Sequence, residues 1–543
     1  MSDCSKHQVV VIGAGVGGLV SALLLACQGL EVTVIEKAAV AGGKMRQVNG
    51  VDSGPTVFTM RWILDQVFAA AGTKLEDHLD LYKLNVIARH AWQPRKPNDE
   101  VATLNLYADH QQSLDAIAQF SGPSEAKRFD AFCKQAAKVY QTLEAPYIRS
   151  ERPSFIGITK DLGPRGLAVL ASLGPFASLW RALGKSFADP RLQQLFGRYA
   201  TYCGSSPWQA PATLMLVADV EMQGVWGVDG GMTKVASALT NLASSKGVTF
   251  VYSANATEIV CKNGAVCAVK VVRKDSNAQV LQTEIIHADS IVFNGDVAAL
   301  ATGLLGADAQ TAVPQMAQHK RESKRSLSAI TWSMRAPTSG FALEQHNVFF
   351  SNNYEQEFRD VFTHKRLPQA GTVYVCAQDR GLPKSSSIQL GQSERLLCLV
   401  NAPAVGDHPH SSAFSPEAIA QCTQTHFNLL QACGLQIDPL QMDPSQIEKA
   451  NTITTPVHFN QMFPATGGAL YGQASHGWMN QFSRMGAVSQ IPGLYLVGGS
   501  VHPGPGVPMA AMSGQLAAET IMARLNSTKK LHRVVIAGGT LMP

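Results

Sequence analysis

The stretch from Val9 to Glu36, VVVIGAGVGGLVSALLLACQGLEVTVIE, constrains this chain more than any other. A run of buried type, Val9 to Ile12, leads into the spaced glycines Gly13, Gly15 and Gly18. A helical run from Leu19 to Cys27 follows, and then a second strand-like run, Val32 to Ile35, ends in an acid. Glycines at these positions permit a tight turn, a close approach of backbone to a pyrophosphate, and close packing of helix on strand, while the helix N-terminus faces negative phosphates. Glu36 stands where a carboxylate accepts hydrogen bonds from a ribose 2'-hydroxyl and repels a 2'-phosphate. A lone glycine fingerprint is weak, but here strand, helix, second strand and acid all fall at the required spacings. Gln8 to Leu30 carries no charged side chain, as a signal peptide or membrane span also would not. The glycines within it, and the strand that resumes directly after it, fit a buried βαβ core better.

With 543 residues the chain is long for one core, and 45% hydrophobic residues give ample material to bury. Charged residues make up only 16%, against roughly 25% in ordinary soluble domains, which fits a large interior or a surface that meets something greasy. A net charge of +5, with no long basic stripe or nucleic-acid motif, gives no case for a nucleic-acid partner. The ten cysteines are scattered without a C-x-x-C, so neither a disulfide framework, a metal site nor a redox pair is implied, and a reducing cytoplasmic compartment is the default.

Loop signals follow the acid: Gly42-Gly43-Lys44-Met45-Arg46 and Asp52-Ser53-Gly54-Pro55-Thr56. From Leu64 to about Asp219 the pattern reads as mostly helical, punctuated by prolines. A second α/β block starts near Trp226, with a helix from Thr233 to Ser245 and strands at Thr249 to Tyr252, Ala265 to Val272 and Ser290 to Asn294. Further strands are expected at Leu327 to Met334, Thr372 to Ala377 and Leu396 to Asn401, with a helix from Pro416 to Cys433. The last block is again strand, glycine loop (Gly498, Gly499, Pro508, Met509) and helix, Ala510 to Leu525. The expected fold is α/β: a Rossmann-type domain built from residues 1–85, 225–300 and 455–526, with a second mixed α+β domain from 86–224 and 301–454 and a flexible tail from 527.

The first motif alone serves FAD or NAD. Three features favour FAD: Gly42-Gly43, where backbone amides and a cation, Lys44 or Arg46, can approach a diphosphate; the second glycine loop near the C-terminus, as a long cofactor held at both ends requires; and the lack of a second fingerprint for a nicotinamide. The fingerprint, AGGKMRQVNGVDSGPTVFT and GLYLVGGSVHPGPGVPM together resemble the phytoene-desaturase-like carotenoid desaturases, within the amine-oxidase-like flavoproteins. Leu195 to Pro207, Gly224 to Met232, Ala469 to Trp478 and His502 to Met509 look most like the hydroxycarotenoid 3,4-desaturases, also called methoxyneurosporene dehydrogenases. Phytoene desaturases usually carry Gly-Ala-Gly-Thr where this chain has Gly498-Gly499-Ser500-Val501. Lys44 stands where the family often has Arg, keeping the charge but losing the planar fork.

The resemblance implies that a 1-hydroxy or 1-methoxy acyclic carotenoid gains a C3–C4 double bond. A hydride leaves to flavin N5, and the resulting allylic cation is acidic enough to need only a weak proton acceptor. His502, in the loop expected near the flavin ring, is the candidate to orient the cofactor or accept the proton, with a structural role in its turn as the plainer reading. Gly43, Lys44, Arg46, Gly54, Pro55, Thr56, Gly498, Gly499, Pro508 and Met509 join Gly13, Gly15, Gly18 and Glu36 as expected cofactor contacts. Tyr199, Tyr202, Trp208 and Trp226 line an apolar tunnel or are plain core, and Arg198 and Glu221 are expected to pair with each other or with other charges.

A carotenoid is collected from a lipid surface, so peripheral association with the inner or photosynthetic membrane is expected. Gly166 to Trp180 reads as an interfacial anchor or a buried helix, being too short to span. Lys320, Arg321, Lys324 and Arg325 form a basic cluster that meets anionic lipid or only solvent. The electron acceptor, a quinone or oxygen, is not legible. Alternatives are a desaturase or isomerase of the same family acting on phytoene or another acyclic carotene, and a redox-inactive carotenoid-binding flavoprotein.

Overall fold

In the computed structural model, residues 6–96, 99–151, 155–172, 177–274, 280–313, 324–381, 392–408, 412–437, 452–477 and 480–532 are described. The central element is a five-stranded sheet ordered Leu494–Leu496, Ser290–Phe293, Gln8–Ile12, Glu31–Ile35, Thr249–Val251. All its pairings are parallel, with Val10 opposite both Ile291 and Thr33. Both faces are covered, as a parallel sheet requires. Val9, Val11, Val32 and Val34 pack with the helices Val16–Cys27, Thr233–Ser245 and Val507–His532, whereas Val10, Ile12 and Ile35 pack into a second cluster with Ile259, Val269 and Leu300.

A second, eight-stranded mixed sheet runs Gln436–Ile437, Ser328–Ser339, Ser393–Ala402, Val373–Ala377, His346–Phe350, Val86–Trp92, Ala102–Tyr107, with Thr452–Thr454 added against Ser328–Ser339. Its long strand alternates: Ile330, Trp332 and Met334 bury against the helix Pro416–Ala432, while Ser333 on the opposite face bonds Ser53 at 2.7 Å. Gln378 exchanges hydrogen bonds of 3.0 and 2.7 Å with the backbone of Asp52. The segment 51–56 is therefore held against this second sheet.

Two expectations are adjusted. The region read as mostly helical from Leu64 to about Asp219 also contains the strands Leu81–Lys83, Val86–Trp92 and Ala102–Tyr107. Leu104 and Leu106 are buried in alternation, but six residues are too few to stand out between long helices. The expected strand at Ala265 to Val272 is present as Ala265–Lys274, in an antiparallel three-stranded sheet with Ala254–Lys262 and Val280–His287. The final helix starts at Val507 and runs to His532, because no proline after Pro508 interrupts it; the tail expected from 527 is helical that far, and 533–543 lie outside the described residues.

Candidate active site

The strand Gln8–Ile12 turns at Gly13, whose φ of +98° favours glycine, into a helix whose N-cap, Gly15, has no side chain to occupy the free N–H groups. A Cβ on Gly18 would lie 2.2 Å from the Gly13 carbonyl oxygen, so the third glycine is demanded by helix-on-strand packing. Asn294 Nδ2 donates to that same carbonyl at 3.0 Å, and a Cβ on Gly15 would meet Nδ2 at 2.9 Å. The turn is thus a cradle that any side chain would fill. Glu36, 7% exposed, accepts from the N–H groups of Ala14 (2.7 Å) and Ala38 (2.8 Å). These bonds fix its carboxylate at the mouth of the turn with lone pairs left for a sugar hydroxyl.

Gly42 donates to the Ala14 carbonyl at 2.9 Å, and a Cβ on Gly43 would lie 3.1 Å from Gly15 Cα. Gly54 packs on the next stretch of backbone, where a Cβ would sit 1.8 Å from the Lys44 carbonyl oxygen. From the other end of the chain, a Cβ on Gly514 would fall 2.3 Å from the Gly17 oxygen, so the first and last helices touch backbone to backbone. Gly498 N donates to Ser513 Oγ at 2.8 Å and lies against Gly17. Pro508 and Met509 open the last helix, where a proline costs no helical hydrogen bond. Both glycine loops and the Gly42-Gly43 turn are therefore brought together.

The cations are placed differently from one another. Lys44 Nζ donates to the Leu470 carbonyl at 2.5 Å beside the ring of Phe463; burial lowers its pKa, with Asp296 opposing the shift. Arg46 commits its guanidinium to Thr454 Oγ1 at 3.1 Å and to the face of Phe459, and burial lowers its pKa as well. Arg484 gave no sequence signal. It is 8% exposed and donates to the carbonyls of Gly499 (3.1 Å), Tyr471 (3.2 Å) and Gln473 (2.7 Å), stitching the C-terminal loop to the 471–473 segment. Asn294 and Ser513 were also missed; Asn294 carried a faint signal, sitting at the end of a predicted strand directly before a glycine.

His502 is 2% exposed, meets Tyr147 edge-on at 4.9 Å, and has no well-formed hydrogen bond at either ring nitrogen, although the backbones of Tyr147 and Ser150 act to raise its pKa. Burial drives its pKa down to about 4, so the imidazole is neutral near pH 7.

Thr56 Oγ1 and Tyr374 OH lie 2.7 Å apart, and Tyr374 OH is 2.7 Å from His346 Nδ1. This chain leads from the 54–56 loop to a small enclosed cavity lined by Val57, His90, Arg198, Tyr199, Tyr202, Glu221, His346 and Tyr374 among others. The pairing expected of Glu221 is replaced: its two carboxylate oxygens accept from Tyr199 OH and Tyr202 OH, each at 2.7 Å, and burial raises its pKa. Tyr199 and Tyr202 line the cavity, whereas Trp208 packs at a tilt against Trp180, with ring centres 4.5 Å apart, and Trp226 lies under Arg61 at 4.8 Å. Of the basic cluster, Lys320 and Arg321 lie outside the described residues, and Arg325 is bound to Asp407 by bonds of 2.8 and 2.5 Å rather than left for lipid.

The model of the flavin containing amine oxidoreductase family matches residues 16–522. The chain belongs to this family. It is an FAD-dependent oxidoreductase, and the glycine cradle with Glu36 at its mouth fits that cofactor. Among relatives of the family, the hydroxyneurosporene desaturase of Rubrivivax gelatinosus is 54% identical over 98% of this chain and 96% of its own length. The protein of the same name from Cereibacter sphaeroides is 39% identical over 96% of this chain and 99% of its own. Cyclohexylamine oxidase of Brevibacterium oxydans shares the fold, with a TM-score of 0.55 at 14% identity, covering 96% of this chain and all of that one.

Proposed function

We propose that this protein introduces the C3–C4 double bond into a 1-hydroxy or 1-methoxy acyclic carotenoid during carotenoid biosynthesis. The observation that carries this reading is the 54% identity, over nearly the whole of both chains, to a protein named hydroxyneurosporene desaturase. When bound, FAD supplies a hydride acceptor. The chain's own part is to hold and exclude. Gly13, Gly15, Gly18, Gly43, Gly498 and Gly499 admit the dinucleotide by leaving room for it, Glu36 takes a ribose hydroxyl, and Lys44 and Arg46 supply positive charge on the diphosphate side. Gly54, Pro55, Thr56, Pro508 and Met509 would flank the ring when FAD is bound. His502 takes the substrate proton: its imidazole is neutral, buried and without a good partner, and a delocalised allylic cation needs only so weak a base.

The substrate comes from a lipid surface. No helix among the described residues is long and apolar enough to cross a membrane. The helical segment Phe155–Ser172, kinked at Gly163, bears exposed Leu167, and an open cavity of about 510 Å3 lies between it and Thr142, Ala145 and Pro146. We assign the peripheral membrane contact to this face, with a quinone or oxygen as final electron acceptor.

The test is aerobic turnover of the FAD-loaded protein in liposomes with a 1-hydroxy acyclic carotenoid, and separately with phytoene. The proposal expects a product two hydrogens lighter and red-shifted from the hydroxycarotenoid alone. Conversion of phytoene alone moves the protein to an earlier desaturation.

A further inference from the structure

The substrate's oxygen has no partner among the groups assigned so far, and burying a hydroxyl unpaired is costly. That oxygen sits on C1, two carbons from C3, so whatever recognises it must lie close to the reacting bond. The cavity behind the 54–56 loop is tied to that loop by the hydrogen bond between Thr56 and Tyr374. It holds about 20 Å3, room for one water-sized group rather than a polyene.

One of its walls, His346 Nε2, lacks a partner, and another, Arg198, lies in the field of the buried carboxylates Glu221 and Glu357 without an ion pair to either among the described residues. His346 is 2% exposed; Nδ1 is engaged with Tyr374 OH at 2.7 Å, and Nε2 is buried with no hydrogen bond. Arg198 is half-buried and makes no ion pair among the described residues; its guanidinium lies 5.7 Å from the centre of the Tyr374 ring, while the nearby Glu221 is satisfied by two tyrosines. Tyr374 joins both to Thr56 and so to the loop proposed to flank the ring.

We propose that this cavity receives the C1 oxygen of the carotenoid, with His346 Nε2 and the Arg198 guanidinium as the groups that recognise it. The assignment rests on the desaturase reading. Arg198 only donates, so it pairs with the oxygen of a hydroxyl or of a methoxyl alike. Nε2 takes either role, because Tyr374 OH can donate to Nδ1 or accept from it. A tertiary alcohol donates and accepts, and so satisfies both groups in either tautomer. A chain ending in hydrogen at C1 leaves both unpaired, which is the arrangement that gives strong discrimination.

The experiment measures kcat/KM for a 1-hydroxy acyclic carotenoid and for the same chain lacking the oxygen, in wild type, His346→Phe, His346→Gln and Arg198→Met, with bound FAD quantified in each. The expected preference of wild type for the hydroxylated chain is on the order of ten-thousandfold. His346→Phe and Arg198→Met each lower that ratio by roughly tenfold or more, and His346→Gln, which keeps a polar group toward the cavity, restores part of it. If wild type discriminates while His346→Phe and Arg198→Met both leave the ratio unchanged with FAD retained, the cavity houses an ordered water and the proposal is overturned. If wild type converts both chains equally, the oxygen is not recognised and the proposal is overturned; if it converts neither, the desaturase reading itself fails. Should His346→Phe not fold, the ratio in Arg198→Met decides.

Discussion

Asn294 Nδ2 donates to the carbonyl of Gly13 at 3.0 Å, while the Asn294 main-chain N–H donates to the carbonyl of Ile12 at 2.9 Å. One residue from a neighbouring strand thus pins the end of the first strand where the glycine turn begins. Asn294→Leu leaves the Gly13 carbonyl unpaired beside a bulkier side chain. We expect a loss of about 1–3 kcal/mol in stability together with weaker FAD retention, read by thermal unfolding and by flavin fluorescence of the purified protein. Unchanged flavin content in the variant would show that the turn holds its shape without this clamp.

Gly514→Ala places a methyl 2.3 Å from the Gly17 oxygen, a backbone atom with no flexible side chain to give way. Overpacking of this kind costs typically about 1–3 kcal/mol. Because the first and last helices carry the two glycine loops, the expected signature is reduced bound FAD as well as a lower melting temperature.

Arg484 holds three carbonyls with one planar guanidinium. Arg484→Lys keeps the charge but cannot span the same fork. The lysine variant is expected to lose FAD nearly as readily as Arg484→Met; a lysine variant equal to wild type would mean that charge alone matters there.

Acid should destabilise the fold through its buried histidines. Burial lowers His502 and His346 to about 4, below their ordinary 6.5. Between those values the unfolded chain binds more protons than the folded one, so stability is full above about pH 6.5 and falls as pH drops toward 4. Melting temperatures across that window should decline, and His502→Gln should flatten part of the slope. Above pH 6.5 His502 stays neutral in both states, so it should impose no break on a pH–rate profile between 7 and 8.

The dinucleotide half of the site was legible because its demands are local: glycine spacing, an acid after the second strand, and a loop–helix unit near the C-terminus all lie within short stretches of sequence. Asn294, Ser513 and Arg484 were not, since each matters through a partner hundreds or tens of residues away, such as Gly13 for Asn294. The strands Val86–Trp92 and Ala102–Tyr107 are hidden in the sequence because the chain around them is helical, and the pairing of Val86–Trp92 with His346–Phe350 is long-range. For Glu221 the sequence suggests only an ion pair. Its satisfaction by Tyr199 and Tyr202 depends on the tight helical turn Arg198–Cys203, which brings both hydroxyls to one carboxylate and which no residue count foretells.

The most direct test of the account is a single anaerobic turnover: FAD-loaded protein in liposomes is mixed with a 1-hydroxy acyclic carotenoid, and flavin absorbance and product mass are followed together. The account predicts that the flavin band bleaches in step with the loss of two hydrogens from the carotenoid and the red shift of its spectrum. Carotenoid that binds and leaves unchanged, with the flavin band intact, would contradict it and make the protein a carotenoid-binding flavoprotein without redox activity.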